Sequence, residues 1–479
     1  MTDSEIRSEL MNPADAAWLH MDRPENLMVV NILLCFDQPI DQASVLQALQ
    51  ERVVARFRRF RQIAADPAVT LAPWVAPEWA DDPGFVLSDH LSRTRVPAPG
   101  DQMALQQTVD ELASRPLRRD RPLWEMHLLD GYGEGSALLL RTHHAIADGV
   151  ALVQVLLALT DPVDADEHVG ALRVHDDTGR PLLAPSAAGR AAQRAAAAAR
   201  RAASAARVLS APLRHVLTDP GKAAELASLT NAEAAMLGKL SFGLSTDPNL
   251  LRGPISPAKQ RAWARAIPVD AVKAAGRPTG STVSDLMLAT ITSALRRYLL
   301  EHHALVPEVA VTVPVNLRPP DAPLAAGLGN EFGLVFVVLP TGEPDPERRR
   351  ARVKEQMDQI KTSREGAFVY TMLEMMGQLP ASFQNAWIDR FARSATAVVS
   401  SVSGPRNRVQ LAGAPVTGIV AWVPATGPIG LGLSIVSYAG QLTVGLVSDV
   451  QLLPDPGRLL ALLDDELDSL RAQADVTRR

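Results

Sequence analysis

Apolar residues along this chain follow two rhythms, short unbroken runs and longer stretches in which they recur every third or fourth residue, and the rhythms alternate from end to end. Short runs bounded by turn residues read as strands, and the helical spacing reads as amphipathic helices. In the first half, residues 28–36 and 137–140 are β-prone, with a helical segment at 41–59 between them. The turn-prone Gly131-Tyr132-Gly133-Glu134-Gly135-Ser136 leads into 137–140, and Val150, Val153, Leu156 and Leu157 follow at helical spacing. A strand-to-helix junction is therefore expected at 143–149.

The second half repeats the alternation, with helices expected at 283–299, 346–362 and 368–391 and strands at 309–315, 334–339, 396–401 and 431–447. Residues 409–448 carry no charge at all. Pro415, Pro424 and Pro428, with many glycines, cut the stretch into runs shorter than the ~20-residue helix that crosses a bilayer. Buried strands joined by turns are expected there. Between the halves, 161–180 reads as loop, and 187–206 is an alanine-rich helix bearing Arg190, Arg194, Arg200 and Arg201. No repeat of fixed short period is present, which excludes a solenoid. The expectation is an α/β protein with mixed sheets in two layered domains, 1–180 and 253–479, joined by a helical Ala/Arg-rich crossover linker at 181–252.

Composition narrows the function. The 479 residues are enough for two domains with proper cores, and 47% of them are apolar while the net charge is only −5. That balance leaves no electrostatic footprint for nucleic acid. The single cysteine, Cys35, excludes an internal disulfide and fits a reducing cytoplasm. The first residues are polar, with Asp3, Glu5, Arg7 and Glu9, so no signal peptide is expected. The arginines of 187–206 suit either a solvated linker or peripheral contact with an anionic membrane face or a lipid droplet.

The candidate chemistry sits at the junction, in His143-His144-Ala145-Ile146-Ala147-Asp148-Gly149. An imidazole, with an ordinary pKa of about 6.5, takes and returns a proton near neutral pH, and His144 is the candidate general base. His143 is expected to shape the loop or the orientation of its neighbour. Asp148 has neighbouring backbone, a cation or the histidine loop as candidate partners, and Gly149 suggests a conformation or contact that a Cβ would obstruct. A metal bound by His143, His144 and Asp148 is not expected, because adjacent residues of an extended backbone point to opposite sides and no Cys or Glu cluster completes a ligand set. His302-His303 lack the following Asp-Gly and read as surface residues, and His90 and His127 stand singly.

His-His-x-x-x-Asp-Gly resembles the motif of the acyltransferase superfamily that includes chloramphenicol acetyltransferase, peptide-synthetase condensation domains and bacterial wax ester synthase/diacylglycerol acyltransferases. Pro122-Leu123-Trp124-Glu125 looks like the Pro-Leu-Trp motif of the last branch, and Asn12-Pro13-Ala14-Asp15-Ala16-Ala17-Trp18-Leu19 is similar to its opening. Leu251 to Ser256, Val313 to Pro319, Gly329-Asn330, Ser403-Gly404-Pro405-Arg406 and Ser437-Tyr438 match in the same order. Two positions depart. Ser284-Asp285 stands where the family has Asn-Asp, and Ser401-Val402-Ser403-Gly404-Pro405 stands where it has Asn-Val-Pro-Gly-Pro; serine has a shorter reach and no amide fork.

The resemblance implies two chloramphenicol-acetyltransferase-like domains, with the histidine motif facing a tunnel at their junction. It implies acyl transfer from acyl-CoA, a substrate rather than a cofactor, to a long-chain alcohol or diacylglycerol, without a covalent acyl-enzyme. Pro122, Leu123 and Trp124 are candidates for lining the channel. Ser284 and Asn330 are candidate oxyanion donors, and Asp285 is a candidate for either the site or a helix cap. Superfamily members are similar in turning the motif Asp away from substrate, which implies an ion pair for Asp148, with Arg318 as the candidate partner. The rival readings are a condensation-type enzyme using carrier-protein thioesters and a non-catalytic lipid-droplet-binding protein.

Overall fold

A computed structural model describes residues 8–65, 77–163, 249–318, 328–363, 365–377 and 381–477. Two seven-stranded sheets dominate it. The first runs in the order Leu91–Arg95, Trp124–Tyr132, Gly135–His143, Val29–Phe36, Ala414–Trp422, Val409–Leu411 and Asp161–Pro162. In the second the order is Ile267–Pro268, Gln441–Asp449, Leu431–Tyr438, Ala397–Ser403, Val309–Asn316 and Phe332–Leu339, with Lys259–Trp263 also paired to Gln441–Asp449. Both sheets are mixed: Leu91–Arg95 lies parallel to Trp124–Tyr132, and Ala397–Ser403 lies parallel to both of its neighbours, while the other ladders are antiparallel. A small third sheet joins Ser8–Leu10, Glu78–Asp81 and Gln62–Ala65.

Each large sheet anchors its own core. Leu34, Leu138, Leu140 and Leu128 pack with Leu152, Leu156 and Trp18 in the first, while Val311, Val337, Val399 and Leu433 pack with Leu288, Leu295 and Leu463 in the second. Gly135–His143 is buried at every residue, which explains why it reads as an unbroken apolar run rather than as an alternation.

The expected division into two sequential domains needs correction at one place. Val409–Leu411 and Ala414–Trp422, from the second half of the chain, complete the first sheet: Ile419, Val420 and Ala421 pair with Leu34, Leu33 and Ile32. The crossing strand has apolar residues on both faces, Val416 and Ile419 in the first core and Val420 and Trp422 in a further cluster with Leu33, Leu105, Leu129 and Leu139. Such a strand is stable only inside a sheet, and the indole N–H of Trp422 finds its acceptor at the Ala262 carbonyl, 3.1 Å away.

Two helical expectations are also revised. The helix expected at 41–59 is Gln42–Leu49, continued by a π turn at Gln50–Val54 and a separate 3₁₀ turn at Arg58–Arg61. The one expected at 368–391 is two helices, Glu365–Met376 and Ala381–Ala392, the first ending in a turn at Gly377. Apart from Asn249 to Arg252, the linker expected at 181–252 lies outside the described residues. Among the described residues no helix is long and apolar enough to cross a membrane.

Candidate active site

Gly135–His143 ends as His143 pairs with Val29, and the chain leaves the sheet through a turn at His144-Ala145-Ile146 and a bridge from Ala147 to Gly329 into the helix Gly149–Leu159. Asp148 caps that helix, its Oδ1 accepting from the Ala151 N–H at 2.9 Å. Gly149 opens the helix with an ordinary backbone conformation. Its lack of a Cβ serves packing, since a Cβ there would come within 3.1 Å of Val402 on the other sheet.

The two histidines diverge, as an extended backbone requires. His143 is buried, accepts the Ala145 N–H on Nδ1 at 3.1 Å, and turns Nε2 toward the Asp22 carboxylate, 3.8 Å away. Burial lowers its pKa while Asp22 pulls the other way. His144 faces the opposite side. Its ring stacks on Trp18, with centroids 4.3 Å apart, lies 5.4 Å from Phe332, and is fixed by a backbone bond from its N–H to the Met28 carbonyl.

His144 Nδ1 lies 2.9 Å from Asn330 Oδ1. The Asn330 Nδ2 is 2.8 Å from the His144 carbonyl and 2.8 Å from Asp15 Oδ1, so its two protons are directed at acceptors and the amide orientation is determined. Oδ1 then requires a proton on Nδ1, and Nε2 is left with the lone pair of a base. Burial pushes the His144 pKa below its ordinary 6.5, opposed by the Asp148 carboxylate and by the Asn330 hydrogen bond, so the ring is neutral at physiological pH.

Asp148 turns its second oxygen away from the imidazole. Oδ2 pairs with Arg318 NH1 at 2.5 Å and accepts the Glu331 N–H at 3.0 Å, while Arg318 NH2 donates to the Gly329 carbonyl at 2.9 Å. The carboxylate thus ties the helix start to the segment that delivers Asn330.

His144 lines an apolar cavity between the two sheets. Trp18, Val30, Ile32, Leu152, Val153, Leu156 and Ile419 form one side, and Phe332, Leu334, Val398, Val402 and Val436 the other. Thr312, Ser400, Ser401, Thr426 and Ser434 give the wall a few polar points. A greasy trough with one oriented base is what a long acyl chain with a reactive carbonyl requires.

Other expected site residues lie elsewhere. Trp124 is 1% exposed, stacks on His90 at 4.4 Å and donates Nε1–H to the Phe60 carbonyl at 2.9 Å; Pro122 and Leu123 are buried beside it, and none of the three lines the cavity. Their contribution is indirect, the Leu123 carbonyl accepting the His143 N–H at 2.9 Å. Asp285 is a cap: it forms a reciprocal capping box with Thr282 and an ion pair with Lys361 at 3.2 Å. Ser284 lies in clefts that it shares with Ser401 and Ser403, away from His144. Asn330 cannot serve as an oxyanion donor, because both amide protons are directed at protein acceptors.

Sequence reasoning gave no role to Asp15 or Trp18, quoted only within the family-like opening Asn12 to Leu19, and did not single out Asp22 or Phe332. Asp15 and Trp18 are one turn apart on the helix Pro13–Met21, and the available signal was a buried-looking helix carrying an acid among alanines. Among the described residues no cluster of three or more His, Cys, Asp or Glu side chains is placed to hold a metal ion.

The chain matches the family model described as the wax ester synthase/diacylglycerol acyltransferase catalytic domain over residues 11–287, and that described as the WS/DGAT C-terminal domain over 328–471. A Mycobacterium bovis protein described as a putative diacylglycerol O-acyltransferase is 26% identical over 472 residues, covering 96% of this chain and 95% of the relative. One from Mycobacterium tuberculosis with the same description is 28% identical over 463 residues, covering 93% and 87%. Among solved structures, a wax ester synthase/diacylglycerol acyltransferase from Marinobacter aquaeolei VT8 superposes with a TM-score of 0.64 at 21% identity, over 97% of this chain and 99% of that one. The first condensation domain of the calcium-dependent antibiotic synthetase superposes with a TM-score of 0.59 at 16% identity, over 99% and 97%. Both show the fold.

Proposed function

The chain belongs to the wax ester synthase/diacylglycerol acyltransferase family, and from that premise we propose that it is an acyl-CoA-dependent O-acyltransferase with His144 as the general base. The observation that carries the reading is the orientation of the imidazole: Nδ1 is tied to Asn330, and the ring lines an apolar cavity. The acceptor hydroxyl loses its proton to Nε2 as its oxygen attacks the thioester carbonyl. Collapse of the tetrahedral intermediate breaks the C–S bond, and the proton returns from Nε2 to the departing CoA thiolate. No side chain carries the acyl group.

The donor is a long-chain acyl-CoA, and the acceptor is a fatty alcohol or a diacylglycerol; no further cofactor enters the scheme. The descriptions of the mycobacterial relatives make diacylglycerol the first acceptor to try. Both acceptors are poorly soluble, so the reading includes a cytoplasmic protein in peripheral contact with the inner membrane face or a lipid droplet. Asp148 with Arg318 and Gly149 are assigned to hold the loop, and His143 to shape it from below.

The test is to incubate the purified protein with labelled palmitoyl-CoA and either hexadecanol or 1,2-dipalmitoylglycerol, with His144→Ala as control. Labelled wax ester or triacylglycerol that is absent with the variant supports the reading and ranks the acceptors. Folded protein that forms neither ester overturns it.

A further inference from the structure

Asp15 lies in the first turn of Pro13–Met21, 2% exposed, on the side of Asn330 away from the imidazole. One of its oxygens, Oδ1, accepts from both the Asn330 backbone N–H, at 3.0 Å, and the Asn330 Nδ2, at 2.8 Å. The main chain and the side chain of one residue thus converge on a single atom. Gly329, at φ +108°, brings the backbone against the carboxylate, where a Cβ would stand 3.4 Å from Oδ2.

The consequence reaches His144. With Oδ1 in place, rotating the Asn330 amide would point its carbonyl at two acceptors, Asp15 and the His144 carbonyl, and its NH₂ at Nδ1. Without Asp15 one of those repulsions disappears and a buried backbone N–H loses its partner. The rotated amide donates to Nδ1 and so favours the tautomer with a proton on Nε2, which cannot accept one from a substrate.

We propose that Asp15 is a positioning residue that acts through Asn330 to hold His144 in the Nδ1–H tautomer required of the base. The proposal rests on the acyl-transfer reading for its kinetic consequence but not for its structural one. Burial pushes the Asp15 carboxyl up to about 6, against the Asn330 hydrogen bonds. In either protonation form Oδ1 retains a lone pair for Asn330.

The experiment combines kinetics with ¹⁵N NMR of the histidine-labelled resting protein. Wild type is expected to show a neutral His144 protonated on Nδ1, and Asp15→Ala a mixture of tautomers. Asp15→Ala is expected to lower kcat about 10–100-fold, as loss of a supporting partner does, with KM for acyl-CoA little changed. Asp15→Asn, which keeps the acceptor oxygen, is expected to restore most of the rate. Because Asp15 acts through Asn330, the double variant Asp15→Ala/Asn330→Ala is expected to be no worse than Asn330→Ala alone, within about twofold. Losses that multiply, an unshifted tautomer in Asp15→Ala, or Asp15→Asn as poor as alanine would each overturn the proposal. Should Asp15→Ala not fold, the Asp15→Asn rate and the wild-type tautomer decide the matter. If wild type transfers no acyl group to either alcohol, the functional reading fails while the NMR comparison still tests Asp15.

Discussion

Asp148 and Arg318, 170 positions apart in the chain, meet at 2.5 Å between the cavity helix and the second sheet, and neither faces solvent freely. Through this pair and the Gly329 carbonyl, the loop that presents His144 is fastened to the segment that presents Asn330. Arg318→Ala is expected to cost about 3–5 kcal/mol, as breaking a buried pair leaves one charge uncompensated. Arg318→Lys should recover only part of it, because an ammonium cannot make the planar contacts to Asp148 and Gly329 together. Urea unfolding of the two variants checks both values.

His144→Ala should lower kcat about 10²–10⁴-fold, the range for losing a general acid–base. The fold should persist, since the ring is held by Trp18 stacking and one side-chain bond and is not a keystone of either core. Initial rates with palmitoyl-CoA, read beside the circular dichroism spectrum, separate lost chemistry from lost structure.

The pH profile follows from the direction of the His144 shift. Burial places its folded pKa below 6.5, so more than half of the ring is in the base form at 6.5, and the midpoint of the acid limb of kcat/KM should lie below 6.5. Stability runs the same way for both motif histidines. An unfolded histidine takes up its proton near 6.5 whereas the buried ones resist it, so their contribution is present above 6.5 and lost as the pH falls. Asp15 opposes this, since its raised pKa favours the folded state below about 6. A limb whose midpoint lies at or above 6.5 would contradict His144 as the titrating base.

Gly149→Ala sets a methyl 3.1 Å from Val402, which must give by a few tenths of an ångström; where it does not, overpacking costs up to about 1–3 kcal/mol and the rate falls as the start of the cavity helix shifts. Val402→Ala in the same protein should restore much of both. Melting temperatures and rates for the single and double variants test the pairing.

Trp124→Phe separates a channel role from a core role. Removing the buried indole N–H leaves the Phe60 carbonyl without its donor, which costs about 1–3 kcal/mol, whereas kcat and acceptor preference should be unchanged. A changed acceptor preference would restore the channel role.

Much of this architecture was legible in the chain. The strand 28–36, the junction at His143 to Gly149 and the strands hidden in the uncharged stretch 409–448 follow from apolar runs punctuated by Gly, Pro and a capping Asp, which are local signals. The two histidines turning to opposite sides follow from strand geometry, and His144 as the inward one was legible from motif order.

The partners of those residues were not legible. Nothing local distinguishes Asp15 from a helix-start acid, or Asn330 from an oxyanion donor, because a hydrogen-bond partner 315 positions away is chosen by packing. Pro122-Leu123-Trp124 has the same residues whether it lines a channel or fills a core, and only the facing His90 and Phe60 decide. The sequence by itself determined the α/β elements, the histidine motif and the apolar demand of its surroundings, because periodicity, capping and imidazole chemistry are properties of short segments. Tertiary structure alone decided that Ala414–Trp422 crosses into the first sheet, that Asp148 finds Arg318, and that Asp15 reaches His144 through Asn330, because those depend on which distant surfaces exclude water together.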